Sequence, residues 1–318
     1  MKALYFDGHE LNLIEKEVPE LAEGEALIRV NYVGICNTDL EILKGYMGFT
    51  GVLGHEFVGT VVKSTVAGFE GKRVVGEINL ACGKCSFCMQ GLGRHCPYRK
   101  VLGILGKDGV MEEYITLPVN NLHVVPTELT DFKAVFVEPF AAACEILEQL
   151  QILPEYEVAV LGDGKLAQLI ARVLSLQTDK LLVVGKHPHK LALLKEIGIK
   201  TKELKDLSEP EHSFHVVVEA TGSWDGWDLA MKMVRPRGYI VLKSTYVGTH
   251  SFNPANIVIN EINLIGSRCG PFPLALQLLR KGAVDPTDLI TEIFSFEQWK
   301  EAFLLAGKSE SLKVLLKF

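Results

Sequence analysis

Hydrophobic and polar residues follow two rhythms along this chain, and the change comes near residue 150. Before it, apolar residues fall in short runs broken by glycine and polar turns. Ala26–Val33 (ALIRVNYV) mixes β-branched and aromatic side chains and predicts a strand. The stretch 1–35 as a whole predicts short strands joined by turns. Gly34 to Asp39 closes the strand, and an amphipathic segment follows over 39–44. Gly54 to Gly59 then leads into another strand over 60–63. From Glu157 the rhythm becomes short apolar strands alternating with helical runs. Strands are predicted over 157–161, 180–184, 215–219, 239–242 and 263–266, the last a candidate dimer edge, with a helix over 168–176. That alternation predicts an α/β doubly wound parallel sheet. Beyond Pro271 the pattern predicts a helix, a loop and a final strand over 313–317.

Composition narrows the function. A chain of 318 residues suggests about two domains, and 48% hydrophobic residues can fill their cores. The net charge of −6 argues against nucleic acid or an anionic membrane as partner. The N-terminus turns polar too soon for a signal peptide, and the most apolar stretch, 134–147, is interrupted by Glu138 and Glu145. The expected location is therefore the cytoplasm, where seven cysteines point to metal rather than to disulfides.

Four of those cysteines, Cys82, Cys85, Cys88 and Cys96, follow C-x2-C-x2-C-x7-C. Four thiolates at this spacing can surround one tetrahedral zinc ion, with glycines at 83, 91 and 93 letting the chain turn. A closed shell leaves no open position, so this zinc is expected to be structural. Cys36, His55, Glu56 and Glu138 are also metal-capable, and Cys36 and His55 each lie beside a predicted strand and turn. A zinc ion held by Cys, His and Glu, with water in the fourth place, makes a Lewis-acidic site. Taken singly, each has a plainer reading: Cys36 as a core thiol, His55 as a satisfied polar residue, Glu138 as a helix N-terminal charge.

Gly162-Asp163-Gly164-Lys165-Leu166-Ala167 is G-x-G-x-x-A between a strand and a helix. Gly162 permits the turn, Gly164 lets a pyrophosphate approach, and the helix start supplies N–H groups. Asp163 is unhelpful beside phosphate, and Lys165 offsets it. At the second strand end, NAD-specific sites place an acidic residue for the ribose 2′-hydroxyl. Here the chain has Gly185, Lys186, His187 and, three residues on, Lys190. That basic position favours NADP(H) over NAD(H). Thr221 follows the strand 215–219, where a doubly wound sheet binds its ligands.

GICNTD at 34–39, GHEFVG at 54–59, the four-cysteine lobe, VEP at 137–139 and the glycine turn occur together and in order. In this the chain resembles the zinc-containing medium-chain dehydrogenase/reductases, the alcohol and sorbitol dehydrogenase family. The resemblance implies a mainly β GroES-like catalytic domain over 1–149 and 271–318, carrying the structural zinc lobe, and a Rossmann domain over 150–270. It implies that Cys36, His55 and Glu138 hold a catalytic zinc, two zinc ions per chain in all, with Glu56 an alternate ligand or a support. The Glu-Pro pair is like that of the polyol and secondary-alcohol branch. Thr38 matches the hydroxyl that relays the substrate proton, but Glu41 stands where a relay histidine is common. Arg268 falls where relatives bring the chain back towards the coenzyme. The implied activity is hydride transfer between an alcohol and NAD(P), in a homodimer or homotetramer. A redox-sensing or scaffold role for the same fold, and a zinc-free quinone or enoyl reductase, are the alternatives.

Overall fold

The computed structural model describes residues 1–208, 212–245, 249 and 251–318. Its contacts divide the chain into two compact units, Met1–Glu138 with Phe272–Phe318, and Pro139–Pro271. No helix among the described residues is long and apolar enough to cross a membrane.

The first unit is mainly β. Its largest sheet runs in the order Leu122–Val124, Arg73–Gly76, Glu56–Ser64, Glu25–Gly34, Lys313–Lys317 and Ile290–Ser295, and Tyr114–Pro118 also pairs with Glu25–Gly34. The strand 25–34 begins with alternate residues buried, as a half-covered pleat requires. It pairs antiparallel with 56–64 in a register that sets Gly34 opposite Glu56 and Val33 opposite Phe57. That register brings the residues just past one strand and just before the other, Cys36 and His55, to the same end of the sheet. The last strand completes this sheet by pairing antiparallel with 25–34 and parallel with 290–295.

The tail holds more regular structure than the sequence pattern predicts. Between the helix Phe272–Arg280 and the final strand lie the strand Ile290–Ser295 and the helix Trp299–Ala306, not a loop. The strand is an edge with mostly exposed residues, so it lacks the buried alternation that marks a strand in sequence.

The second unit is a six-stranded, all-parallel sheet in the order 200–203, 181–185, 158–161, 214–219, 234–242 and 263–266. Counted along this unit the order is 3-2-1-4-5-6, the doubly wound arrangement whose ligands bind at the strand carboxyl ends. Strand 158–161 is buried at every position, as a central parallel strand should be. The edge strand Lys200–Glu203 carries three charged residues and has no strand signature in sequence. The division between units falls inside the helix Val137–Gln149 rather than at its end. Its later turns pack within the second unit: Lys243 Nζ donates to the Ala142 carbonyl at 2.6 Å and Gln149 to that of Gly266 at 3.0 Å. Cys144 on this helix is fully buried, and burial pushes its thiol up to about 12, which suits an inert core residue.

Candidate active site

The ligand atoms of Cys36, His55 and Glu56 lie within 4.8 Å of one another. Cys36 caps the helix Asn37–Ile42, Glu56 opens the neighbouring strand, and His55 immediately precedes it. Asp39, fully buried, ties these pieces together. One of its oxygens accepts the Cys36 N–H at 2.8 Å; the other accepts the Gly54 N–H at 3.1 Å and stands 3.5 Å from His55 Nδ1. Sequence reading gave Asp39 no role, because its partners are not its neighbours along the chain.

Electrostatics at this end of the sheet favour a positive charge. Burial works against a charged His55 imidazole, yet the Asp39 carboxylate and the Cys36 thiol hold its pKa well above the ordinary value. His55 Nδ1 is also buried without a hydrogen-bond partner. A metal cation bound at Cys36, His55 and Glu56 would supply the charge that the donor set favours, so these residues fit a zinc ion. Glu138, second in its helix and half-buried, is not part of that trio, but its charge reaches Lys313.

Lys313 is a further member that sequence reading missed. It lies in the last strand, and its ammonium donates to the Glu56 carboxylate. Burial opposes its charge, but Glu56, Cys36 and Glu138 together keep its pKa above the usual lysine value. Gly34 makes room for the pair: a Cβ there would come 2.5 Å from Glu56 Oε2 and 3.3 Å from Lys313 Cδ. Thr38 lies half-buried on the short helix after Cys36. Glu41, on the same helix, pairs with Lys44 at 2.9 Å.

The four lobe cysteines form a second group, again with sulfurs within 4.8 Å. Individual Sγ separations of 3.4, 3.7 and 3.9 Å bracket the ~3.8 Å edge of a tetrahedron of zinc–sulfur bonds. The lobe hangs from the paired strands Asn79–Leu80 and Lys100–Leu102. The Lys84 backbone N–H lowers the Cys82 thiol to about 6, whereas desolvation and the thiols of Cys85 and Cys96 push Cys88 up to about 11. Four sulfurs this close cannot all ionise without a cation to hold them, so this donor set also fits zinc.

In the second unit Gly162 adopts φ +118°, and a Cβ there would lie 2.7 Å from the Ala220 carbonyl oxygen. Gly164 caps the helix Lys165–Leu174, which starts three residues earlier than the sequence pattern predicts and places Lys165 and Leu166 in its first turn. Thr221 bonds the buried Glu219 carboxylate through its N–H at 2.6 Å and its hydroxyl. Arg268 offers its carbonyl to Lys243 at 3.0 Å. At the second strand end Lys186 is exposed and His187 half-buried, but Lys190 is only 5% exposed, so its charge is largely withdrawn from solvent.

Residues 22–127 match the alcohol dehydrogenase GroES-like domain. The D-arabitol-phosphate dehydrogenase of Enterococcus avium is 28% identical over 96% of this chain and 94% of its own length. The sorbitol dehydrogenase of Halalkalibacterium halodurans is 28% identical over 99% of each. Among solved structures, an alcohol dehydrogenase of Escherichia coli CFT073 complexed with NADH superposes with a TM-score of 0.91 at 26% identity, over 100% of this chain and 99% of that one. With both metal-capable clusters and the glycine turn in place, the chain is similar along its whole length to alcohol and polyol dehydrogenases and carries their GroES-like domain.

Proposed function

We propose that the chain is a zinc-dependent dehydrogenase that moves hydride between a secondary alcohol or polyol and NAD(P), using one catalytic and one structural zinc ion. The observation that carries this reading is the convergence of Cys36, His55 and Glu56 on one point, with Asp39 and Lys313 around it. The polyol dehydrogenases among the relatives favour a polyhydroxylated substrate.

Cys36 and His55 would hold the catalytic ion with a carboxylate, Glu138 or Glu56. When bound, zinc supplies a Lewis acid that lowers the pKa of a substrate hydroxyl. Asp39 fixes the Cys36 backbone and faces the imidazole, so both donors are held before substrate arrives. Lys313 engages Glu56, so Glu138 is the carboxylate proposed to complete the set. The Thr38 hydroxyl relays the substrate proton, giving up its own as it takes one; with Glu41 paired to Lys44, the onward route does not pass through a histidine at that position. The coenzyme supplies the hydride chemistry. The Gly162 turn and the first N–H groups of the helix 165–174 receive its pyrophosphate. Cys82, Cys85, Cys88 and Cys96 brace their loop and take no part in the reaction.

The test joins metal counting to a panel of polyols and secondary alcohols followed by nicotinamide absorbance, with NAD and NADP in parallel. About two zinc ions per chain are expected in the wild type and about one in His55→Ala, which keeps its fold and loses turnover. Wild-type protein that carries zinc but oxidises nothing on the panel would favour a sensing or scaffold role. Protein without metal at Cys36 and His55 would favour a zinc-free reductase.

A further inference from the structure

The strand Leu181–Gly185 ends without an acidic residue, yet the space that such a side chain would take is filled. A Cβ on Gly185 would lie 2.5 Å from Asp163 Oδ2 and 2.8 Å from Asp163 Cγ. Asp163 comes from the glycine turn that follows the neighbouring strand, and its carboxylate reaches across to the end of the second. Oδ2 accepts the backbone N–H of Lys186 at 2.6 Å and of His187 at 2.7 Å. Oδ1 stands 3.0 Å from His187 Nδ1. The residue is 6% exposed. Burial alone would raise its pKa, but the bonds from His187 and Lys186 outweigh that and hold it below the usual carboxylate range. It is therefore an anion at neutral pH.

We infer that Asp163 is the specificity-determining acid for the coenzyme: supplied from the glycine turn, it replaces the side chain missing at position 185 and selects NAD(H) over NADP(H). This rests on the coenzyme-binding reading above. A ribose 2′-hydroxyl can donate to a carboxylate, and an ionised carboxylate has about four acceptor sites, so the three contacts already made leave room for one more. A 2′-phosphate meets the opposite situation. The two backbone N–H groups and the imidazole that would bind it are already engaged, and a fixed negative charge stands among them. The basic run that favours NADP(H) in sequence is thereby largely offset. His187 pairs with Asp163, Lys190 is withdrawn, and only Lys186 is left as an exposed cation.

The experiment is a fluorescence titration of the zinc-loaded protein with NADH and NADPH, compared with Asp163→Ser and with a double variant, Asp163→Gly/Gly185→Asp. Thermal melts confirm that each variant folds. The wild type is expected to bind NADH at least about ten-fold more tightly than NADPH, a ratio set by one charged contact. Asp163→Ser should erase or invert that ratio. The double variant returns the carboxylate to the strand end and should restore it, which a merely structural Asp163 would not allow. NADPH binding as tight as NADH in the wild type, or an unchanged ratio in Asp163→Ser, overturns the assignment. Failure to bind either coenzyme overturns it together with the dehydrogenase reading.

Discussion

Lys313 and Glu56 form an ion pair whose side chains are 3% and 2% exposed. A buried pair of this kind costs desolvation to make, and it is far costlier to break from one side. Lys313→Met leaves the Glu56 carboxylate buried without its partner. The single variant is expected to lose about 3–5 kcal/mol of stability, and Glu56→Gln/Lys313→Met to recover most of it. Denaturant unfolding of the zinc-loaded proteins measures both. An unchanged midpoint for Lys313→Met would show that the pair contributes nothing.

Asp39 holds Cys36 and faces His55, the proposed zinc donors, without being one of them. Asp39→Asn removes the charge beside His55 while keeping the side chain's shape. Affinity for the catalytic zinc should fall about 10–100-fold, as it does when such supporting contacts are lost elsewhere. The zinc of the four-cysteine lobe should stay bound. Competition with a graded series of chelators separates the two ions; equal loss of both would mean that the variant is simply less folded.

The two glycines of the coenzyme turn should separate folding from binding. Gly162→Ala forces a side chain into φ +118° and against the Ala220 carbonyl, at a cost of about 1–3 kcal/mol. Gly164 has an ordinary φ of −74°, and a Cβ there meets nothing within 4 Å. Gly164→Ala should therefore melt like the wild type and still bind NADH more weakly, because the added methyl group would stand where the proposed site receives pyrophosphate. Unweakened binding by that variant would move the phosphate site elsewhere.

Glu112 gives the fold a pH dependence. Only 3% exposed, it accepts from Lys16 at 2.8 Å. Burial, helped by Asp108 and opposed by Lys16, raises it from 4.5 to about 7. A folded pKa above the unfolded one means that the folded state holds the proton more tightly. The stability this contributes is fully present below about pH 4.5 and is lost as pH rises through about 7, a change of up to ~3 kcal/mol. Denaturant midpoints between pH 5 and 8 should fall less steeply in Glu112→Gln than in the wild type. Parallel slopes would contradict the assignment.

The parts of the fold and site that could be read from sequence are those whose partners are near along the chain or repeat a fixed interval. The cysteine lobe is of this kind, and so are the glycine turn and the alternating strands and helices after Glu157. Asp39 and Lys313 were not legible, because each acts on a group brought to it by strand pairing: Lys313 meets a residue 257 positions away. In KVLLK it reads as an ordinary surface lysine, and only its place at the head of an apolar run hints otherwise. Asp163 shows the same limit with the opposite sign. Beside a pyrophosphate it looks like a liability, but across the sheet it meets the N–H groups of Lys186 and His187.

The strand Lys313–Lys317 lies inside its sheet, between 25–34 and 290–295, not at the rim. During synthesis the residues of the nucleotide unit emerge as one uninterrupted stretch and can fold while the ribosome is still reading. The mainly β unit must wait. Until residue 313 has left the exit tunnel, Glu56 lacks its counter-charge and the sheet lacks a central member, so the cluster of Cys36, His55 and Glu56 is completed only after the other unit has been synthesised in full.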